Sequence, residues 1–239
     1  MRIAHLTYSF MPVLGGADRY LLQLFQVLRQ AGHEQVVYQR HTSASEPFLR
    51  PLRPLPPWLK RGEFWLVPVL AGFRRRELRQ YDRLIVHYAP YLLACPHPRA
   101  IVISHGVFWD DRPGALRSRI KGWATRRAYR RAWRFVANDT NMLREMGEKI
   151  GPGEKAFERV APGKWFVPNC VDTRFYQRVQ PDSRLAGTEA IVVVRNLYRN
   201  RGIDLAIRAF ARFAERALRA VLVIVGREGQ AGYLLELKT

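Results

Sequence analysis

Residues 2–38 place a strand, a glycine turn, a helix and a second strand in immediate succession, and few folds accept that order. Arg2 to Phe10 reads as a buried strand, with Ile3, Ala4 and Leu6 leading into a loop that holds Pro12, Gly15 and Gly16. Asp18 is placed to cap the helix that follows. Leu21, Leu22, Leu24, Phe25 and Leu28 fall at helical spacing, Gly32 stops the helix, and Gln35 to Tyr38 reads as the next strand. Two strands joined through a helix pair in parallel by a right-handed crossover, so the chain opens an α/β sheet.

The same plan continues. Short apolar runs at Arg83 to Tyr88, Ala100 to Ser104 and Phe135 to Ala137 read as further buried strands. The stretch Pro47 to Pro57 holds five prolines and is expected to be irregular. Ala161 to Asp182 is rich in Pro, Gly and polar residues and reads as a domain junction. Beyond it come a strand (Ala190 to Val194), a helix (Gly202 to Arg216), a strand (Val221 to Val225) and a helix start at Tyr233. The expectation is an α/β protein with a complete Rossmann-like parallel-sheet domain over residues 1–178 and a partial second one over 179–239. That second domain is expected to be incomplete at Thr239.

Charge bears on partners. Forty Lys and Arg face 20 Asp and Glu, a formal net charge of +20. Such a surface attracts phosphate-bearing substrates, anionic lipid or nucleic acid. Two cysteines, Cys95 and Cys170, are too few for a disulfide framework, and a reducing compartment fits them. Cys95-Pro-His97 offers two ligands without a second pair, so no metal is expected. The longest strongly apolar run, Phe64 to Phe73, is about half the roughly 20 residues that a membrane span needs. No secretory signal is legible: His5, Thr7 and Ser9 interrupt the first apolar run.

Gly15 and Gly16 lie between a strand end and a helix N-terminus, where free N–H groups and the helix dipole favour a phosphate. A Gly-Gly turn is by itself more often only a turn, and neither a dinucleotide fingerprint nor a P-loop surrounds it.

Four segments in order carry a resemblance. They are Arg2 to Tyr38, including Gly32-His33-Glu34-Gln35-Val36; Phe166-Val-Pro-Asn-Cys-Val-Asp172 with Phe175; Val194 to Phe210; and Ala220 to Gly226. Together they resemble family 4 glycosyltransferases, retaining two-domain enzymes of the GT-B type that use a nucleotide sugar. The resemblance implies transfer of a sugar with retention to a glycan or lipid-linked acceptor, in polysaccharide or cell-envelope glycan synthesis. It implies a nucleotide sugar as co-substrate and no metal or other cofactor. Gly15 and Gly16 would lie near the donor phosphates, and His105, after a strand end, would face the reacting sugar. Aligned on Leu197 and Gly202, the family's diphosphate-binding Arg and Lys fall on Asn196 and Arg201, with Arg195 one residue early as a substitute cation.

Departures accompany the match. Cys170 stands where the family's junction has glycine, which would strain a left-handed backbone there. The later Glu pair that holds the donor's sugar and ribose has no counterpart before Thr239. His105 could alternatively do no more than cap a strand-to-loop turn. Asn138 and Asp139, at another strand end, suit either the cleft or the cap of a helix beginning near Asn141.

Two basic, aromatic stretches complete the reading. Trp58, Lys60, Arg61, Trp65, Arg74, Arg75 and Arg76 suit an anionic membrane surface. The Arg-rich stretch Arg117 to Arg134 suits either that surface or a solvated helix with Ile120, Trp123 and Ala124 packed inward. The expected location is cytoplasmic, peripheral at the inner face of the membrane. One alternative is a non-catalytic truncated remnant. A basic nucleic-acid-binding protein is the weaker alternative, because no recognition motif accompanies the charge and no specific nucleic-acid partner is expected.

Overall fold

A computed structural model of the chain describes residues 1–58, 63–107, 116–149, 157–171, 173, 174, 177, 180 and 182–238. The chain divides into two compact units, Met1–Cys170 and Val171–Thr239.

The first unit is built on an eight-stranded sheet. Its elements in order are β1 (Arg2–Leu6), α1 (Gly16–Gln30), β2 (Glu34–Gln39), β3 (Leu49–Pro51), α2 (Glu63–Gly72), α3 (Arg75–Leu78), β4 (Arg83–Val86), α4 (Tyr91–Ala94), β5 (Ala100–Ser104), α5 (Leu116–Arg131), β6 (Arg134–Ala137), α6 (Thr140–Glu145), β7 (Glu158–Ala161) and β8 (Lys164–Phe166). The strand order is β3-β2-β1-β4-β5-β6-β8-β7. Every pairing is parallel except the terminal one, β7 against β8. The chain lays strands outward from β1 to β3, then returns to place β4 on the other side of β1. In doubly wound sheets the crevice at the carboxyl ends of the two strands flanking that reversal takes the ligand.

Side-chain alternation along β1 explains both layers. Ala4 and Leu6 enter the main core beneath α2, α4 and α5, with Leu84, Val86 and Val102. Ile3, with Ile85 and Ile103, faces the opposite way, against Tyr20, Leu24 and Leu28 of α1. Gly32 ends the α1 connection with φ +76°, a left-handed conformation that glycine adopts without strain.

Several expectations change. The proline-rich stretch does contain a strand: β3 pairs with β2 in parallel at the sheet edge, where proline costs no ladder bond. The start of the expected junction belongs to the first sheet, because Pro162-Gly163 forms the turn of the β7–β8 hairpin and Gly163 holds φ +73°. Helix α5 ends at Arg131, and Arg134 opens β6. Cys170 is not left-handed, as no described residue other than glycine has a positive φ, so the expected strain is absent. Asp172 and Phe175 of the junction motif lie outside the described residues.

The second unit holds β9 (Glu189–Val194), α7 (Ile203–Ala214), β10 (Ala220–Val225) and α8 (Tyr233–Glu236). β9 and β10 pair in parallel over six residues. Leu197, Ile203 and Tyr233 form its small core with Val193, Ile207, Ile224 and Leu237.

Candidate active site

A crevice of about 310 Å³ opens at the carboxyl ends of β1, β4 and β5. Thr7, Tyr8 and Ser9 follow β1 into it, His87, Tyr88 and Ala89 follow β4, and His105, Gly106 and Val107 follow β5. Ala17 and Asp18 bring the first turn of α1 to its rim. It therefore lies at the reversal point of the strand order.

Asp18 does not begin the helix; Gly15 does, in an extended conformation, and Asp18 sits at the third helical position. Its carboxylate accepts from Ser9 Oγ at 2.8 Å and from the N–H groups of Leu14 and Gly15 at 3.1 Å each. The glycine turn thus carries a buried negative charge of its own. The N–H groups of Gly16 and Ala17, with no carbonyl one turn back, are those the helix leaves over. Neither Gly15 nor Gly16 has a positive φ, and a Cβ on Gly16 would meet nothing within 4 Å. Their backbone conformation does not demand glycine; open space beside the turn is what they leave.

His105 lies at the crevice, and sequence reading missed what stands behind it. His105 Nε2 is 3.4 Å from His87 Nδ1, and His87 Nε2 is 3.2 Å from His5 Nδ1. His5 Nε2 reaches Gln35 Oε1 at 3.0 Å, and Gln35 Nε2 donates to the Phe25 carbonyl at 2.8 Å. The ring planes differ by 7° between His87 and His105 and by 25° between His5 and His87. The centroids stand 5.7 and 5.5 Å apart, longer than the nitrogen separations by about one ring width. The rings therefore meet edge on, nitrogen to nitrogen, rather than stacking face to face. Burial holds His5 and His105 down to about 4 and His87 well below the ordinary imidazole value, while the Asp18 carboxylate partly opposes the shift at His105. Tyr20 packs its ring against His105 at 5.1 Å, nearly perpendicular.

A sequence signal for this array exists. Each histidine stands two residues after an isoleucine of the α1-facing layer: Ile3-Ala4-His5, Ile85-Val86-His87 and Ile103-Ser104-His105. Period-two alternation puts all three on one face of three adjacent strands.

The other sequence candidates are placed as follows. Asp139 is the N-cap of α6, which starts at Thr140, and accepts from Met142 N–H at 2.8 Å. Asn138 Nδ2 donates to the Val167 carbonyl at 2.8 Å. Neither lines the crevice. Arg195 and Asn196 follow β9, and Arg201 closes a 3-10 turn before α7; all three are exposed. Asn196 Oδ1 accepts from Arg227 N–H at 3.3 Å. Arg199 is tied to Glu236 and lies over the Tyr233 ring, whereas neither Arg195 nor Arg201 forms an ion pair among the described residues.

Cys95 is buried, which pushes its thiol up to about 12. His97 is occupied at both nitrogens, by the Tyr81 carbonyl and the Arg99 N–H. No group of three or more His, Cys, Asp or Glu among the described residues is placed to hold a metal ion.

Of the basic stretches, Lys60 and Arg61 lie outside the described residues, and Trp65 falls within α2. Trp58 is 77% exposed and Arg74 pairs with Glu77 at 3.0 Å; Arg75 and Arg76 open α3. On α5, Ala124 packs inward, but Ile120 and Trp123 point outward, 51% and 62% exposed, in line with Leu116 at 71%. No helix among the described residues is long and apolar enough to cross a membrane.

Comparison with solved structures supports the same architecture. The lipopolysaccharide glycosyltransferase WaaG superposes with TM-score 0.68 at 15% identity, over 98% of this chain and 66% of its own. The S. aureus MnaA–UDP structure matches with TM-score 0.59 at 12% identity, over 99% and 64%. The catalytic domain of starch synthase IV from Arabidopsis thaliana, bound to ADP and acarbose, matches with TM-score 0.60 at 11% identity, over 99% and 70%. At these identities the matches establish a GT-B type fold, and the chain spans about two thirds of the length of those structures. No curated protein matches the sequence. The model of Glycosyltransferase Family 4 matches residues 14–175, from the glycine turn through the crevice strands to the β7–β8 hairpin and beyond, and the chain therefore belongs to glycosyltransferase family 4.

Proposed function

We propose that this protein moves a sugar from a nucleotide-sugar donor to a glycan or lipid-linked acceptor, with retention, in polysaccharide or cell-envelope glycan synthesis. The observation that carries the reading is the crevice at the strand-order reversal, lined by His105 and the first turn of α1 in a chain of this family. Two of the similar structures hold a nucleoside diphosphate, UDP in MnaA and ADP in starch synthase IV, which supports a donor of that class here. Breaking the sugar–diphosphate bond leaves negative charge on the diphosphate. In the second unit Arg201, with Arg195, offers positive charge to such a group and Asn196 a polar contact; in the first unit the N–H groups of Gly16 and Ala17 offer donors to a phosphate. His105 acts at the sugar. The role needs no metal or other cofactor. The test is to incubate the purified protein with labelled UDP-, ADP- and GDP-sugars and lipid extract from its source. Label is expected in the extractable glycan or lipid from one donor, with the anomeric configuration kept. Absence of transfer from every donor overturns the proposal, and an inverted product overturns retention alone.

A second reading concerns location. We infer peripheral attachment to an anionic membrane surface through α5. Leu116, Ile120 and Trp123 recur at i, i+4 and i+7 and stand exposed, beside a depression lined by Trp123, Arg126, Arg127, Arg130 and Arg131. Each cation near such a surface contributes about 1 kcal/mol. Replacing Arg127 and Arg130 by Gln is expected to weaken sedimentation with phosphatidylglycerol vesicles by about 2 kcal/mol in all. Equal binding to neutral phosphatidylcholine vesicles, unaffected by salt, would refute it.

A further inference from the structure

We propose that Gln35, acting through His5 and His87, locks His105 into a single neutral tautomer, protonated at Nε2, which leaves Nδ1 as a bare acceptor. The Phe25 carbonyl can only accept, so the Gln35 group facing it at 2.8 Å is the amide nitrogen, and Oε1 faces His5. Oε1 can only accept, so His5 carries its proton on Nε2. A neutral imidazole has one donor and one acceptor, so His5 Nδ1 accepts and His87 Nε2 donates across 3.2 Å. By the same step His87 Nδ1 accepts from His105 Nε2 across 3.4 Å. One amide, anchored to the backbone of α1, thereby sets the proton position on a ring two imidazoles away.

Charge does not undo the lock. His5 is fully buried and His87 nearly so, and a proton added to either would be an unpaired charge beneath α1. The acidic group near His105 is Asp18, and its two carboxylate oxygens are already engaged by Ser9, Leu14 and Gly15. Tyr20 against the His105 ring adds no charge.

The lock has a chemical consequence. A neutral ring offering a bare Nδ1 accepts a hydrogen bond and cannot give one there, so it suits a hydroxyl and not a phosphate oxygen. Gln35, His5 and His87 are positioning residues; His105 is the one at the crevice. Placing a sugar hydroxyl at Nδ1 rests on the glycosyl-transfer reading, whereas the tautomer does not.

The test is nitrogen-15 NMR of the histidine rings in the full chain near pH 7.5, where protonated and bare ring nitrogens resonate far apart. His105→Asn, which deletes one set of signals, assigns that ring. All three rings are expected as pure Nε2-protonated forms. Gln35→Leu should turn His105 into a mixture of tautomers. A proton on Nδ1 of any of the three in the unaltered protein overturns the lock, as does an unchanged His105 in Gln35→Leu. Should that variant fail to fold, the tautomers of the unaltered protein still decide. Adding a nucleotide sugar should shift Nδ1 of His105, and the matching free nucleotide should not. A pure tautomer that no nucleotide sugar moves would support the lock and overturn the placement of the sugar.

Discussion

Replacing Arg201 by Ala is expected to lower kcat by about 10²- to 10³-fold, the range measured when one preorganised group that stabilises developing charge is removed. Three arginines crowd the loop between β9 and α7, and the structure separates them. Arg199 is held by Glu236 and the face of Tyr233, so its guanidinium is committed within the second unit. Arg201 is exposed and closes the 3-10 turn just before Gly202, whose φ of +69° fixes how the chain enters α7. No acidic partner among the described residues engages the Arg201 guanidinium, so its charge remains available to a diphosphate. Arg201→Lys keeps the charge but loses the planar fork, and should retain part of the activity. Arg199→Ala serves as the comparison, since it breaks an exposed ion pair worth about 1 kcal/mol or less. Steady-state kinetics with saturating acceptor checks this. Turnover within threefold of the parent in Arg201→Ala would remove that residue from the mechanism.

The place of Arg201, a cation just before Gly202 and a helix start, was legible in the sequence because it is a local pattern. The first sheet was legible for the same kind of reason. Ile3, Ala4 and Leu6, a glycine turn and apolar residues at helical spacing leave little choice but a parallel βαβ unit. Local signals misled where two meanings compete. Pro162-Gly163 reads as junction sequence, yet it makes a hairpin turn because Lys164 to Phe166 finds the open edge of β6. Prolines 47 and 51 argued against a strand, yet an edge strand has a side that pairs with nothing. The histidine array shows a different failure. His105 is visible at a strand end, but His5 and His87 reach it only through strand order, 82 residues separating the first pair. The recurring Ile-x-His carries their common face, but not which strands become neighbours. Gln35 was harder still, since its role depends on which way an amide points. Likewise the outward turn of Ile120 and Trp123 depends on where β5 and β6 put α5, not on the spacing of its own residues.

Gly226→Ala is expected to destabilise the second unit by about 3 kcal/mol, the upper part of the range for forcing a methyl into packed structure. An added Cβ would stand 1.9 Å from the Arg195 carbonyl oxygen and 2.6 Å from its carbon, both backbone atoms that no rotamer change can move aside. The reason lies just past the paired strands. The Arg195 N–H donates to the Val225 carbonyl at 2.9 Å and the Leu197 N–H to Arg227 at 2.9 Å, so the two chains continue side by side beyond β9 and β10. At Gly226 the neighbouring backbone leaves no room for a side chain. Asn196 Oδ1 in turn receives Arg227 N–H, so displacing residue 226 displaces the loop that carries Arg195 and Asn196. Gly232→Ala provides the scale. That glycine holds φ +78° with nothing within 4 Å of the added atom, so only the backbone cost of about 1 kcal/mol applies. Hydrogen exchange along Val192 to Leu197 reads the second unit separately from the first, which a single unfolding midpoint of two units would not. Faster exchange there in Gly226→Ala than in Gly232→Ala is the expected result. If both variants exchange alike, the close approach at Gly226 is not what holds the Arg195 loop.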